Sequence, residues 1–355
     1  MILDAPIIVT PARRGRGVEA AVGLAPRVDY LELTATLGAE LLYAPGPEVG
    51  RVGRLEGRLG LDARQGVAAA RRGASAFVSF TEGVALPIAF ADAGRTPHVA
   101  LVHHALRRRT SLFQRTTGFL HHIDRIVVLA RSQERYLRDQ MRVPPERVRF
   151  IHDKVDHCFW IPDGGPSDGS VLSVGAEGRD YETLVAAVGT LAVPTVVVAG
   201  SLWTDADRRF AADVPANVTV RSGLSFVVLR ELYGRAAVVV VPLQAGLQYA
   251  AGVNAVLEAM AMGKALVVSA TPGIADYVED GLTARLVPAG DPSRLRAVLS
   301  ELLSDHRQRA ALGARARAVV EGGRNLDGFV RALAETVRDV MPGASGLRPG
   351  LPDAL

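Results

Sequence analysis

Short, unbroken apolar runs recur along this chain, and a stretch with helical spacing of apolar residues separates most neighbouring pairs. Pro6–Thr10 (PIIVT), Ala76–Phe80 (AFVSF), Pro97–Val102 (PHVALV), Ile123–Leu129 (IDRIVVL) and Val148–Ile151 read as strands. Asp29–Tyr43, Asp62–Arg72, a segment opened by Thr81-Glu82-Gly83 and running to Phe90, and Ser132–Met141 read as helices, the last capped by Ser132. A strand that is apolar at every position has no face to give to water, so the sheet it joins must be covered on both sides. Strands that alternate with helices meet that demand as parallel βαβ units.

The turn-rich segment Pro162–Ser170 (PDGGPSDGS) interrupts the pattern, which then starts again. Strands are expected at Val171–Val174, Pro194–Ala199, Val218–Val220, Ala237–Val241, Ala265–Ser269 and Ala284–Val287. Helices are expected at Tyr181–Val188, Ser225–Arg235, Asn254–Met262, Pro292–Leu303, His306–Glu321 and Asn325–Met341. At roughly 100–200 residues per domain, a chain of 355 residues holds two such units. The expected fold is α/β, with two Rossmann-like, doubly wound parallel-sheet domains facing across a cleft. Their bounds are 1–160 and 161–323, with a helix at 324–341 crossing back to the first domain and a loose Pro/Gly-rich tail at 342–355. Ligands of such sheets sit at the C-terminal ends of the strands, which places the site between the two domains.

Composition narrows the function. The net charge of +4 is small for the length and nearly all of the basic residues are arginine, with Lys154 and Lys264 the only lysines. The densest basic cluster is Arg107-Arg108-Arg109 with Arg115 nearby, read either as a solvated loop or as an anion- or membrane-facing patch. No basic stripe of the kind that tracks nucleic acid is present, so no nucleic-acid partner is expected. A single cysteine, Cys158, excludes an internal disulfide and fits a reducing compartment. The N-terminus MILDAPIIVT lacks the pattern of a secretory leader, and no run approaches the roughly 20 apolar residues needed to span a bilayer. A cytoplasmic protein is expected, with membrane contact not favoured. The sequence does not disclose an oligomeric state.

The segment richest in chemistry runs from Gly252 to Asp291. Gly252-Val253-Asn254-Ala255 opens a helix after a strand and loop. Amides at a helix N-terminus, with the positive end of the dipole behind them, suit a phosphate. Asn254 can cap the helix or donate to a sugar hydroxyl. Glu258, one turn on, can accept two hydroxyl hydrogen bonds of a ribose. A glycine-led helix start is equally consistent with a purely structural role. His103-His104 ends an apolar strand at the cleft edge. Glu82 follows another strand, either to meet an acceptor hydroxyl or amine or to sit at a helix dipole. His121-His122 with Asp124 lacks a third metal ligand, and His152, Asp153, Asp156 and His157 read as a structural hinge. No G-x-S-x-G elbow, Walker loop or H-E-x-x-H motif occurs.

The stretch VLEAMAMGKALVV, followed by PGIADYVEDGLTARLVPAGD, resembles the nucleotide-sugar-binding segment of the large retaining GT-B glycosyltransferase group, family 4. There the pattern runs V-L-E-A-M-A-x-G-x-P-V-V, a glycine turn, then V-x-D-G-x-T-G-x-L-V-P-x-G-D. VRFIHDKVDHCFW, SVGAEGRDYETLVAAV and PHVALVHH resemble the family's domain junction, second-domain opening and histidine-bearing strand, so the likeness spans about Phe77 to Asp291. It implies that Glu258 holds the donor ribose and that Val253, Asn254 and Ala255 contact the diphosphate and sugar. It further implies that His103 faces the transferred sugar, and that Gly200-Ser201 and Leu224-Ser225 receive the base. Three positions depart from the pattern. Ala250 stands where the family has a first glutamate, with Gln248 and Asn254 as candidates to replace it. Ala176 stands where an arginine is expected, leaving Arg179 as the nearest cation for a diphosphate. Asp153-Lys154 replaces N-G, and Lys154 is a second candidate cation.

The resemblance implies a retaining hexosyltransferase that uses a nucleoside-diphosphate sugar, UDP-sugar favoured, and an acceptor hydroxyl. A short first domain without a long basic amphipathic helix favours a small molecule or specialised metabolite over a lipid as that acceptor, and Arg107–Arg109 keep a lipid or anionic acceptor open. The resemblance implies neither a cofactor nor a bound metal. The three departures keep open a non-catalytic relative of the same fold that binds donor or partner.

Overall fold

The computed structural model describes residues 5–12, 16–44, 56, 61–103, 118–199 and 214–341. In the first half, β1 (Ile7–Val9), α1 (Arg16–Ala21), α2 (Asp29–Leu37), β2 (Glu40–Leu42), α3 (Ala63–Ala70) and β3 (Phe77–Ser79) lead into α4 (Glu82–Asp92), β4 (His98–Val102), β5 (Arg125–Val128), α5 (Arg131–Asp139) and β6 (Val148–Phe150). The six strands form one parallel sheet in the order β2-β1-β3-β4-β5-β6.

The second half runs β7 (Val171–Val174), α6 (Tyr181–Val188), β8 (Thr195–Val198), β9 (Val218–Arg221), α7 (Phe226–Arg235), β10 (Val238–Val241), α8 (Val253–Ala261), β11 (Ala265–Ser269), β12 (Arg285–Val287), α9 (Pro292–Ser304), α10 (His306–Glu321) and α11 (Leu326–Arg338). Its sheet is also six-stranded and parallel, in the order β12-β11-β10-β7-β8-β9. The strand order reverses direction between β7 and β10, which opens a crevice at their C-terminal ends.

The apolar runs form the central strands for the reason the sequence suggests. Every residue of β4, β7, β10 and β11 is buried, and burying a valine or leucine side chain is worth about 1.5–3 kcal/mol. The last helix leaves the second domain and packs on the first. Leu326, Phe329, Val330, Leu333 and Val337 of α11 join one core with Ile8, Leu33, Val78 and Val99. Asn325 caps α11 by accepting from the Gly328 amide at 2.9 Å.

Two local expectations are corrected. The helix from Asp29 stops at Leu37, where Gly38 takes a left-handed conformation (φ +61°) and its amide closes on the Thr34 carbonyl. Glu40–Leu42 then forms β2 beside β1. A three-residue edge strand carries too few positions to separate strand from helix periodicity. The helix at 132 begins one residue earlier, with Ala130 at the N-cap and no side-chain cap. The Ser132 hydroxyl instead donates to the Gln248 carbonyl of the other domain.

That contact belongs to a seam that fixes one domain on the other. The Tyr277 hydroxyl donates to the Leu129 carbonyl at 2.6 Å and accepts from the Asp153 amide at 2.9 Å. Asp276 accepts from the Arg131 amide at 2.8 Å, and its carbonyl meets His152 Nε2 at 3.1 Å.

Candidate active site at the cleft between the sheets

The crevice at the β7–β10 reversal is built by two loops that pack on each other. One follows β7 from Gly175 to Arg179, the other follows β10 up to Gly252, and a single bridge pairs Arg179 with Leu243. The Arg179 guanidinium folds back under the first loop. Its Nε and one Nη donate to the Val174 carbonyl at 3.0 and 2.9 Å, and the other Nη donates to the Glu177 carbonyl at 3.0 Å. Gly175 (φ +120°) and Gly252 (φ +82°) both press against this guanidinium. A β-carbon at Gly175 would overlap it, and one at Gly252 would come within 3.0 Å. Glycine at these two positions therefore lets a cation sit at the floor of the crevice. Burial lowers the pKa of Arg179 from its ordinary value.

Helix α8 points its N-terminus into the same space. Among the described residues no side chain caps it. The Val253 amide is taken by the Ala250 carbonyl at 3.2 Å, and the first amide with a carbonyl one turn back is that of Val256, bonded to Gly252. The amides of Asn254 and Ala255 fall between and have no partner within the helix. With the dipole behind them they suit an anion. Glu258 lies one turn deeper and accepts from the buried Tyr233 hydroxyl at 2.9 Å. Burial pushes its carboxyl up to about 7, against the pull of Arg179 in the opposite direction.

These groups line a cleft of about 340 Å³ whose other wall belongs to the first domain and includes His103, Leu129, Gln133 and Asp153. His103 follows β4, and its carbonyl accepts from Gln133 Nε2 at 2.8 Å. Of the residues expected from the sequence, His103, Arg179, Gly252, Val253, Asn254, Ala255 and Glu258 meet around this one space, together with Ala176 and Ala250.

Others stand elsewhere. Lys154 is not part of the lining. Its ammonium sits between Asp29 at 2.7 Å and Asp153 at 3.0 Å, over the Phe329 ring. Burial disfavours that charge, but Asp153 and Asp29 outweigh it and raise the Lys154 pKa above its usual value. Glu82 is half-buried in the first turn of α4, away from the lining. Leu224 packs against the second-domain core, and Ser225 caps α7 through the Val228 amide. Gln248 is exposed and offers its carbonyl to Ser132. His104, Gly200 and Ser201, like the arginines at 107–109 and Arg115 and the 342–355 tail, lie outside the described residues.

Glu177 and Tyr249 also line the cleft, and sequence reading missed them. Their signal was positional: each lies on a loop that leaves the C-terminal end of a central strand. Away from the cleft, ligand-type atoms of Asp156, His157 and Cys158 lie within 4.8 Å of one another, but Asp156 is already bonded to Arg27 at 3.0 Å. His152, expected to form a hinge with Asp153, Asp156 and His157, contacts Asp276 at the domain seam.

Residues 171–305 match the sequence profile of the family described as glycosyl transferases group 1. Solved structures share the whole architecture at low identity. Anabaena Alr3699/HepE in complex with UDP and glucose superposes with a TM-score of 0.71 at 15% identity, covering 95% of this chain and 100% of that one. Sucrose-phosphate synthase from Thermosynechococcus elongatus gives 0.73 at 18%, covering 94% and 98%. WaaG, a glycosyltransferase involved in lipopolysaccharide biosynthesis, gives 0.62 at 17%, covering 95% and 100%. Compared with curated protein sequences, the chain matches none. Residues 171–305 thus resemble a glycosyl transferases group 1 domain, and the two sheets together form the GT-B fold.

Proposed function

We propose that this protein is a retaining glycosyltransferase that moves a hexose from a UDP-sugar to a hydroxyl of a small-molecule acceptor. The observation that carries the proposal is the meeting of three groups in one cleft: the uncapped N-terminus of α8, the Arg179 guanidinium and the Glu258 carboxyl. The family match over 171–305 supports it, as does the fold shared with a protein crystallised with UDP and glucose.

In this reading Glu258 accepts from the two ribose hydroxyls, and the Asn254 and Ala255 amides receive the diphosphate. Arg179 and the helix dipole stabilise the charge that grows on the departing phosphate, without a metal ion. The acceptor oxygen bonds to the anomeric carbon as the bond from that carbon to the phosphate oxygen breaks. The bonding pair leaves with UDP, and the acceptor proton passes to the same phosphate oxygen. Attack on the face of departure leaves the anomeric configuration unchanged. His103 faces the transferred sugar from the other wall, and closing the two domains excludes water. We place the reaction in the cytoplasm.

A second reading, a non-catalytic donor-binding subunit, draws on the small amount of positive charge. Among the described residues that line the cleft, Arg179 is the only arginine or lysine. Thermal-shift measurements against UDP, GDP, ADP and their hexose conjugates test the donor site. Ligand at 100 times its Kd stabilises the folded state by about 2.7 kcal/mol. A shift confined to the uridine compounds is the expected result, and no shift with any compound would overturn the proposal. Slow hydrolysis of UDP-glucose by the purified protein would exclude the second reading.

A further inference from the structure

The sugar end of the cleft carries a charge pattern of its own. Glu258, with Leu229 and Tyr233 of α7, marks the nucleoside end, and the α8 N-terminus marks the phosphates. On the proposed reading the transferred sugar lies beyond the phosphates, where the lining includes Ala250, Tyr249 and Glu177 from the second domain and His103 and Asp153 from the first. Ala250 contributes only a methyl group there. Glu177 contributes a carboxylate, and it is held. The Tyr249 hydroxyl donates to Glu177 Oε1 at 3.2 Å, while Arg179 holds the Glu177 backbone carbonyl at 3.0 Å. The next residue, Gly178 (φ +68°), fits so closely against Leu247 that an added β-carbon would lie 2.9 Å from its side chain. Packing of this kind restrains the loop that presents Glu177.

On the proposed reading Arg179 serves the phosphates, and Lys154 stands outside the lining. Arg179 turns three N–H groups to the Val174 and Glu177 carbonyls, and Lys154 is paired with Asp29 and Asp153. A neutral sugar can donate hydroxyls to Glu177, which as a carboxylate only accepts. A sugar bearing a carboxylate meets like charge there.

We infer that Glu177, oriented by Tyr249, is a specificity-determining residue that admits neutral or amino sugars and rejects uronic acids. The inference rests on the proposed reading of the cleft as a nucleotide-sugar site.

Calorimetry with the full-length protein and UDP, UDP-glucose and UDP-glucuronate tests it. The wild type is expected to bind UDP-glucuronate at least about tenfold more weakly than UDP-glucose. Glu177→Gln should bring the two within about threefold while UDP affinity stays as in the wild type. Tyr249→Phe should weaken UDP-glucose and UDP-glucuronate alike, leave UDP unchanged, and keep the discrimination, because the charge remains. Equal wild-type affinities for the two sugars, or discrimination that survives Glu177→Gln, would overturn the assignment while UDP binding leaves the donor site standing. Absence of UDP binding in the wild type would sink the donor reading itself, and this inference with it.

Discussion

A neutral isostere at Glu258 should make the ligand-free protein more stable and a worse binder. Burial raises the midpoint of this carboxyl from 4.5 to about 7. Between those values the folded state keeps a proton that the unfolded chain has released. Raising the pH through this window therefore favours unfolding, by about 1.4 kcal/mol per pH unit. By pH 8 the ionised Glu258 costs the folded state about 3 kcal/mol relative to pH 4.5. Glutamine carries no titrating proton and can still accept from Tyr233, so this loss disappears in Glu258→Gln. Thermal midpoints at pH 5 and pH 8, without ligand, read the difference. The variant should gain on the wild type by a few degrees between the two conditions. A gap that is the same at both pH values would refute the reasoning. Binding moves the other way. A hydrogen bond to a charged group is worth about 1.5–3 kcal/mol, so Glu258→Gln should weaken UDP-glucose by roughly tenfold or more. Wild-type affinity should also fall as pH drops below 7, because the proton displaces the form that accepts both ribose hydroxyls. UDP-glucose is the ligand of choice, since its diphosphate does not titrate there.

Two further perturbations probe the scaffold. His98 is fully buried, meets Ser79 Oγ at 2.9 Å, and is held neutral by burial, with its pKa lowered from 6.5 to about 3. Its contribution is complete above pH 6.5 and should fade as the pH drops toward 3, by up to about 4–5 kcal/mol. His98→Gln should flatten the acid limb of a stability-against-pH curve, and an unchanged limb would argue against it. Tyr277→Phe removes the hydroxyl shared by the Leu129 carbonyl and the Asp153 amide. Leaving two buried backbone groups unpaired should cost about 2–4 kcal/mol and speed hydrogen exchange at the domain seam. An unchanged denaturation midpoint would show that the latch contributes nothing.

Much of the site was legible as local pattern. Gly252 ahead of an apolar helix announces an exposed N-terminus, and Glu258 follows on the same helix one turn later. Both facts survive any tertiary arrangement, because helix geometry alone sets them. Lys154 shows the opposite case. Its number and charge made it a candidate for the diphosphate, but charge is a pairwise property. Asp29, 125 positions away in sequence, takes its ammonium at 2.7 Å. Glu177 escaped notice for the same reason, since only the packing of one loop on another brings it to Tyr249.

By itself the sequence determined the two parallel sheets and the helix that opens at Gly252. These follow from periodicity and from the demand that apolar strands be covered on both faces. Tertiary structure alone decided which strands neighbour one another, that β2 exists at all, and that Ser132 reaches across to Gln248 instead of capping its own helix. It also decided where each charge is spent. Hydrophobic patterning acts over a few residues and can be read in order along the chain. Hydrogen bonds and ion pairs join groups that the fold alone brings within reach.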